Sequence, residues 1–168
     1  MKKLITSVLL VSFYTTALFG SSGVASEWEA MSTHQKMNIL TTYKKAEPFN
    51  MGYTMASILW QESSAYRYNV SVHDPSCGGF HTSLRSVSNR HDLPHGGFHY
   101  NKLCQRLLDD REFAFSEALA ELKYWHNVHR GDWFKIWGSY NGGWERNPRY
   151  ARQIKDKVDF LQNLIEGE

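Results

Sequence analysis

The segment MGYTMASILWQES, Met51 to Ser63, decides how the chain is read. Met51, Met55, Ile58 and Leu59 recur at i, i+4, i+7 and i+8, one face of an α-helix. Glu62 lies three turns beyond Met51, on that same face. Charge at the end of an inward-pointing apolar stripe is costly. A carboxyl so placed tends to keep its proton, which makes Glu62 a candidate general acid. The plainer alternative is a solvated or ion-paired glutamate at a helix end. Asn50, following Pro48, is the expected N-cap.

Outward from this helix the chain reads as one mostly helical domain. Glu27 to Lys45 has helical composition with few breakers. After the Glu62 helix, Val70 to Gly79 reads as a loop, with Asp74-Pro75-Ser76 and Gly78-Gly79 as turn formers. A short extended segment is expected over Phe80 to Leu84. Asp92 to Gly97 is a second break. Helices are expected over Tyr100 to Asp109 and over Glu112 to His126, where Phe115, Leu119, Leu122 and His126 share a face. Asp132 caps a short helix through Trp133, Phe134, Ile136 and Trp137, which Asn141-Gly142-Gly143 breaks. Pro148 suits the first turn of a last helix carrying Ile154, Val158, Leu161 and Ile165. No repeat, low-complexity tract or linker is present.

Met1 to Ser26 reads as a secretory signal, and residues 27–168 as the mature domain. Lys2 and Lys3 precede a largely apolar Val8 to Phe19, and Gly23-Val24-Ala25-Ser26 offers small residues for cleavage after Ala25 or Ser26. An uncleaved anchor is the alternative, with a stretch short for a span of about 20 residues. Both lysines of the signal leave with it, so the mature chain balances its acids, and the formal +2 of the whole chain gives no reason to expect nucleic acid. An exported or periplasmic protein with only Cys77 and Cys104 is expected to join them in a disulfide, worth about 3 kcal/mol through the unfolded chain. Aromatic residues make up 14% of the chain, with six Trp and nine Tyr, enough for both core and sugar-stacking surface.

Other chemistries find less support. No Gly-x-Ser-x-Gly elbow exists, so Ser63 and Ser64 read as hydroxyl donors or caps. His91, His95 and His99 recur every four residues, but Pro94, Gly96 and Gly97 argue against a helix that would align them. His126 and His129 lack a third ligand, and no His-Glu-x-x-His occurs. Neither metal nor cofactor is expected. Arg146, Arg149, Arg152, Lys155 and Lys157, diluted by Glu145, Asp156 and Asp159, read as a solvated helix face.

Four elements in order then carry a resemblance: Glu62-Ser63, Gly78-Gly79-Phe80-His81, Ser139-Tyr140-Asn141-Gly142-Gly143, and Tyr150. Together they resemble the soluble-type lytic transglycosylases, which have a goose-lysozyme-like fold. That family carries Glu-Ser at a helix end, a Gly-Leu-Met-Gln turn, Ala-Tyr-Asn-x-Gly, and a tyrosine on the next helix. The match covers Asn50 to Lys157. His81 replaces the family's Gln and Ser139 its Ala, and the His-rich segment from Ser88 to His99 has no counterpart.

The resemblance implies a mainly α, lysozyme-like domain with a cleft and little or no sheet. It implies cleavage of peptidoglycan glycan strands between N-acetylmuramic acid and N-acetylglucosamine. Glu62 would protonate the glycosidic oxygen, then accept a proton from the sugar's 6-hydroxyl as that oxygen closes onto C1, leaving a 1,6-anhydro end. An internal nucleophile of high effective concentration makes a second carboxylate unnecessary. Ser63 would bond near the sugar, Tyr140 and Tyr150 would hold the Glu62 carboxyl, Asn141 would fix its loop, and Phe80 and His81 would line the cleft. The bridge would tie the Gly78-Gly79 turn to a helix. Secretion, conjugation or phage-lysis machinery are the partners such a protein would serve. The first rival is a hydrolase, which needs a second carboxylate from Asp74, Asp132 or Glu145. The second is a wall-binding protein without activity.

Overall fold

The first helical stretch is broken at Ser32. In the computed structural model, which describes residues 21–71 and 74–167, α1 (Ser21–Glu29) stops before it and α2 (Thr33–Ala46) starts after it. Ser32 Oγ accepts from the Gln35 N–H, and the Gln35 side chain accepts from the Ser32 N–H. This reciprocal capping box starts a new helix where composition alone suggested continuity. Residues 1–20 of the expected signal lie outside the described residues. The expected cleavage point falls inside α1, between buried Val24 and buried Trp28. Trp28 packs against Trp60 at 5.5 Å and Phe160 at 5.7 Å, so α1 is fastened to the rest of the helices.

The apolar stripe from Met51 to Leu59 belongs to α3 (Gly52–Ser63) and its cap, packed between α2 and α8. Met55, Ile58 and Leu59 are fully buried. Each such side chain contributes about 1.5–3 kcal/mol through burial. Asn50 does not cap α3. It sits at φ 57° after the 3₁₀ turn Glu47–Phe49, and Met51 occupies the cap position without a side-chain bond. Packing, rather than capping, positions this helix.

Beyond α3, β1 (Ser76–Cys77) and β2 (Thr82–Ser83) pair antiparallel, with Ser76 opposite Ser83 and Cys77 opposite Thr82. Glycine is required between them. Gly78 has φ 81°, and a Cβ on Gly79 would lie 2.2 Å from the Tyr66 ring. Ser83 then caps α4 (Leu84–Arg90), a helix the sequence reading did not anticipate. α5 (Gly97–Asp109) starts three residues earlier than expected. Cys77 and Cys104 are joined, tying the hairpin to α5 across 27 residues.

α6 (Arg111–Val128), α7 (Trp133–Gly142) and α8 (Pro148–Glu166) complete the chain, capped by Asp110, Asp132 and Asn147. Phe115, Leu119 and Leu122 on α6 and Ile154, Val158 and Leu161 on α8 are buried as the periodicity requires. The protein is mainly helical, with one two-stranded sheet among the described residues. No described helix is long and apolar enough to cross a membrane.

Candidate active site

The chain leaves α3 by an unusual route. Ser64, Ala65 and Tyr66 have φ of 50°, 59° and 72°, three consecutive non-glycine residues in the left-handed region. Each costs about 1–2 kcal/mol. The turn persists because its polar groups are all met. Ser63 Oγ donates to the Leu59 carbonyl at 3.1 Å and accepts from Tyr66 N–H at 2.9 Å. Gln35 and Asn38 of α2 donate to the carbonyls of Ser64 and Ala65, at 2.8 and 3.2 Å, and Asn69 donates to that of Tyr66 at 3.2 Å. These bonds, worth about 1 kcal/mol each, offset much of the strain. The turn aims the Tyr68 carbonyl at the hairpin.

Glu62 is 13% exposed in its side chain, and each carboxyl oxygen has a polar partner. Tyr150, near the start of α8, donates its hydroxyl to Oε1 at 2.5 Å. His81, in the hairpin turn, places Nδ1 3.3 Å from Oε2. The apolar surround suggested by the α3 stripe is thus replaced at the tip by a phenol and an imidazole.

The other face of His81 settles its tautomer. Nε2 lies 2.9 Å from the Tyr68 carbonyl, which only accepts, so Nε2 carries a hydrogen. When the ring is charged, Nδ1 carries the second hydrogen and faces Oε2, so one proton can lie between the two groups. Burial disfavours the charged ring, but the bonds to Glu62 and to the Tyr68 carbonyl, with the charges of Glu62 and Asp74, outweigh it and raise the His81 pKa. Burial, and then the Glu62 charge, push the Tyr150 phenol well above its ordinary value. Tyr150 is consequently a donor at any working pH, whereas His81 responds to pH.

Glu62 lines two cavities, a larger and a smaller lobe on either side of it. The larger, about 620 Å³, is walled by α1, α2 and α8, with Trp60 and Gln61 beside the carboxyl. Gly23 and Val24, ahead of the expected cleavage point, are part of that wall. The smaller, about 290 Å³, lies between the hairpin and the α6–α7 pair. Asp74 and Glu121 line the smaller lobe together with Glu62.

The remaining expected site residues are placed as follows. Tyr140 lines the smaller lobe, but its hydroxyl donates to the Phe80 carbonyl at 3.0 Å rather than to Glu62. Burial, followed by the Glu62 charge, raises its pKa well above the ordinary value. Phe80 is fully buried, packed edge-on against Tyr66 and Phe115, so its backbone rather than its ring serves the cleft. The Ser63 hydroxyl is buried and used within the turn. Asn141 lines the lobe and accepts from the Asn147 side chain at 2.8 Å, holding the loop into α8. Of the candidate second carboxylates, Asp74 is in the cleft. Asp132 caps α7, its pKa lowered by hydrogen bonds from the Lys135 side chain and backbone. Glu145 is exposed in the 3₁₀ turn Gly143–Glu145.

Glu121 and Trp125 were missed as cleft residues. Arg90 Nη1 donates to Glu121 Oε2 at 2.6 Å and Arg90 Nε to buried Glu117 Oε2 at 2.8 Å. Two acids at i and i+4 on a helix with an apolar face were the available signal. His91 meets the same Glu117 at 2.5 Å and His95 meets Asn89 at 2.7 Å. Among the described residues no group of three or more His, Cys, Asp or Glu is arranged to hold a metal ion.

Over 126 residues the chain is 32% identical to the "Uncharacterized 20.7 kDa protein in vs-regB intergenic region" of Enterobacteria phage T4, covering 73% of this chain and 68% of that protein. The chain belongs to that protein's family. No family model matches the chain. No solved structure matches it either.

Proposed function

We propose that this protein is an exported peptidoglycan lytic transglycosylase of lysozyme-like fold, with Glu62 as general acid and then base. The observation that carries this reading is the seat of Glu62. Glu62 lines both cavities, with the Tyr150 hydroxyl 2.5 Å from Oε1. A cleft running past a carboxyl on both sides suits a polymer cut in its interior. A relative carried by a bacteriophage fits a protein whose substrate is a bacterial wall.

The chemistry follows from the proton shared with His81. With the pair holding that proton, Glu62 protonates the glycosidic oxygen as the bond to C1 breaks. The resulting carboxylate keeps the Tyr150 bond, which stabilises its charge. It then accepts the proton of the sugar's own 6-hydroxyl as that oxygen bonds to C1. The proton given up in the first half is recovered in the second, so the pair ends as it began.

The hydrolase reading is favoured by one observation, the presence of Asp74 and Glu121 in the same lobe as Glu62. Glu121 is occupied, accepting from Arg90 and from the Trp125 indole at 2.8 Å. Asp74 accepts from the Ser76 hydroxyl and is the carboxylate left to direct a water. Mass spectrometry of fragments released from purified sacculi separates the two. Anhydro ends, 18 Da lighter than reducing ends (about one water), are expected. Reducing ends would assign the hydrolase, and no release at all would leave a binding protein.

A further inference from the structure

Trp144 is 70% exposed, more than any other large apolar side chain among the described residues. It follows Gly143, which lines the smaller lobe, in the short turn between α7 and α8. Its position is braced. The Trp144 ring stands edge-on to Trp125, with centroids 5.2 Å apart and planes at 78°. Trp125 is itself fixed on three sides. Its indole N–H donates to Glu121, His129 stacks parallel on it at 5.7 Å, and Tyr124 packs edge-on at 4.9 Å. His129 is held in turn by Ser139 at 2.8 Å.

A braced aromatic face beside a cavity lined with hydroxyls has a specific chemical complement. Ser76, Thr82, Ser83, Ser86 and Ser139 line the lobe together with Gly143 and Trp125, the chain neighbour and the ring partner of Trp144. Ser76, Ser83 and Ser139 are engaged within the protein, by Asp74, the Ser86 N–H and His129, yet each hydroxyl keeps bonding capacity that an apolar protein partner would bury unmet. A pyranose ring satisfies both, with one C–H face for the indole and an edge of hydroxyls for the wall. We propose that Trp144 is a stacking platform for a sugar ring at the outer end of the smaller lobe, so that the protein reads the length of the glycan beyond the bond it cuts. The inference rests on the glycan-cleft reading of the site and adds a subsite remote from Glu62.

The test is calorimetric titration of the full chain in the Glu62→Gln background with β-1,4-linked N-acetylglucosamine oligomers of two and six sugars. The hexamer is expected to bind at least tenfold more tightly than the dimer. Trp144→Ala should remove about tenfold from the hexamer and almost nothing from the dimer, and Trp144→Phe should restore part of the loss. Because the side chain is exposed, melting temperatures should agree among the three. Unchanged hexamer affinity in Trp144→Ala would overturn the platform while leaving the glycan cleft intact. No binding of either oligomer by any variant would overturn the glycan reading itself, and this inference with it.

Discussion

The two sides of Glu62 are built on different principles. On the α8 side, Oε1 meets a tyrosine that stays protonated, and the lobe beyond is framed by helices, with Trp60 in its wall. On the hairpin side, Oε2 meets a histidine that titrates, and the lobe beyond is lined by hydroxyls and acids, on a hairpin that a disulfide ties to α5. One carboxyl thus has a constant partner and a variable one. The difference teaches that strength and responsiveness at this site reside in separate parts of the fold.

Removing the carboxyl from between them gives the largest effect. Glu62→Gln keeps the shape and the Tyr150 bond but cannot cycle a proton, so activity against peptidoglycan in a zymogram should fall about 10²–10⁴-fold. Equal clearing by both proteins would remove Glu62 from the chemistry. Next comes the hairpin's anchor. Cys77→Ala with Cys104→Ala should cost about 3 kcal/mol, a drop of about 10 °C in melting temperature by calorimetry. Hydrogen exchange should quicken in the hairpin and α5 before it does in α8.

The constant partner is tested by Tyr150→Phe. Losing one hydrogen bond to a charged group should lower kcat/KM by about thirtyfold, about 2 kcal/mol, with the pH profile keeping its form. The variable partner gives the smallest change at low pH and the most informative one. In the wild type, activity should decline as pH rises through the raised His81 value, because the proton shared with Glu62 is then lost. His81→Gln should move that limb, because Glu62 must then hold the proton without the imidazole, while leaving the rate at lower pH within severalfold. Stability follows the same sign. A pKa raised on folding adds stability that is fully present below the unfolded histidine value, about 6.5, and is lost as pH rises through the folded one. Melting curves against pH for the two proteins should converge above that window.

Much of this contrast was written in periodic positions. The α3 stripe, the α6 and α8 faces and the Asp132 and Pro148 starts depend on local rules, and the helices stand where those rules put them. The break at Ser32 was legible too, since Ser32 and Gln35 form a capping box, but composition masked it. The site was legible only in part. Residue order brought Glu62, His81 and Tyr150 forward, yet not that His81 would take the second oxygen. That contact depends on a left-handed turn that no periodicity encodes. Phe80 and Ser63 drew attention through their neighbours in sequence, while burial directs the ring of one and the hydroxyl of the other into the protein. Trp125 and Glu121 enter the cleft through a tertiary contact with Arg90, from a helix the sequence reading did not contain.

The left-handed turn after Ser63 also bears on how the molecule matures. Its carbonyls are held by Gln35 and Asn38 from α2, and its Tyr66 ring lies against Gly79 of the hairpin. Segments distant along the chain must therefore dock before the imidazole can reach the acid. A half-folded chain would carry Glu62 without its imidazole neighbour, so that the paired arrangement of Glu62 and His81 arrives last, together with the closed tertiary structure.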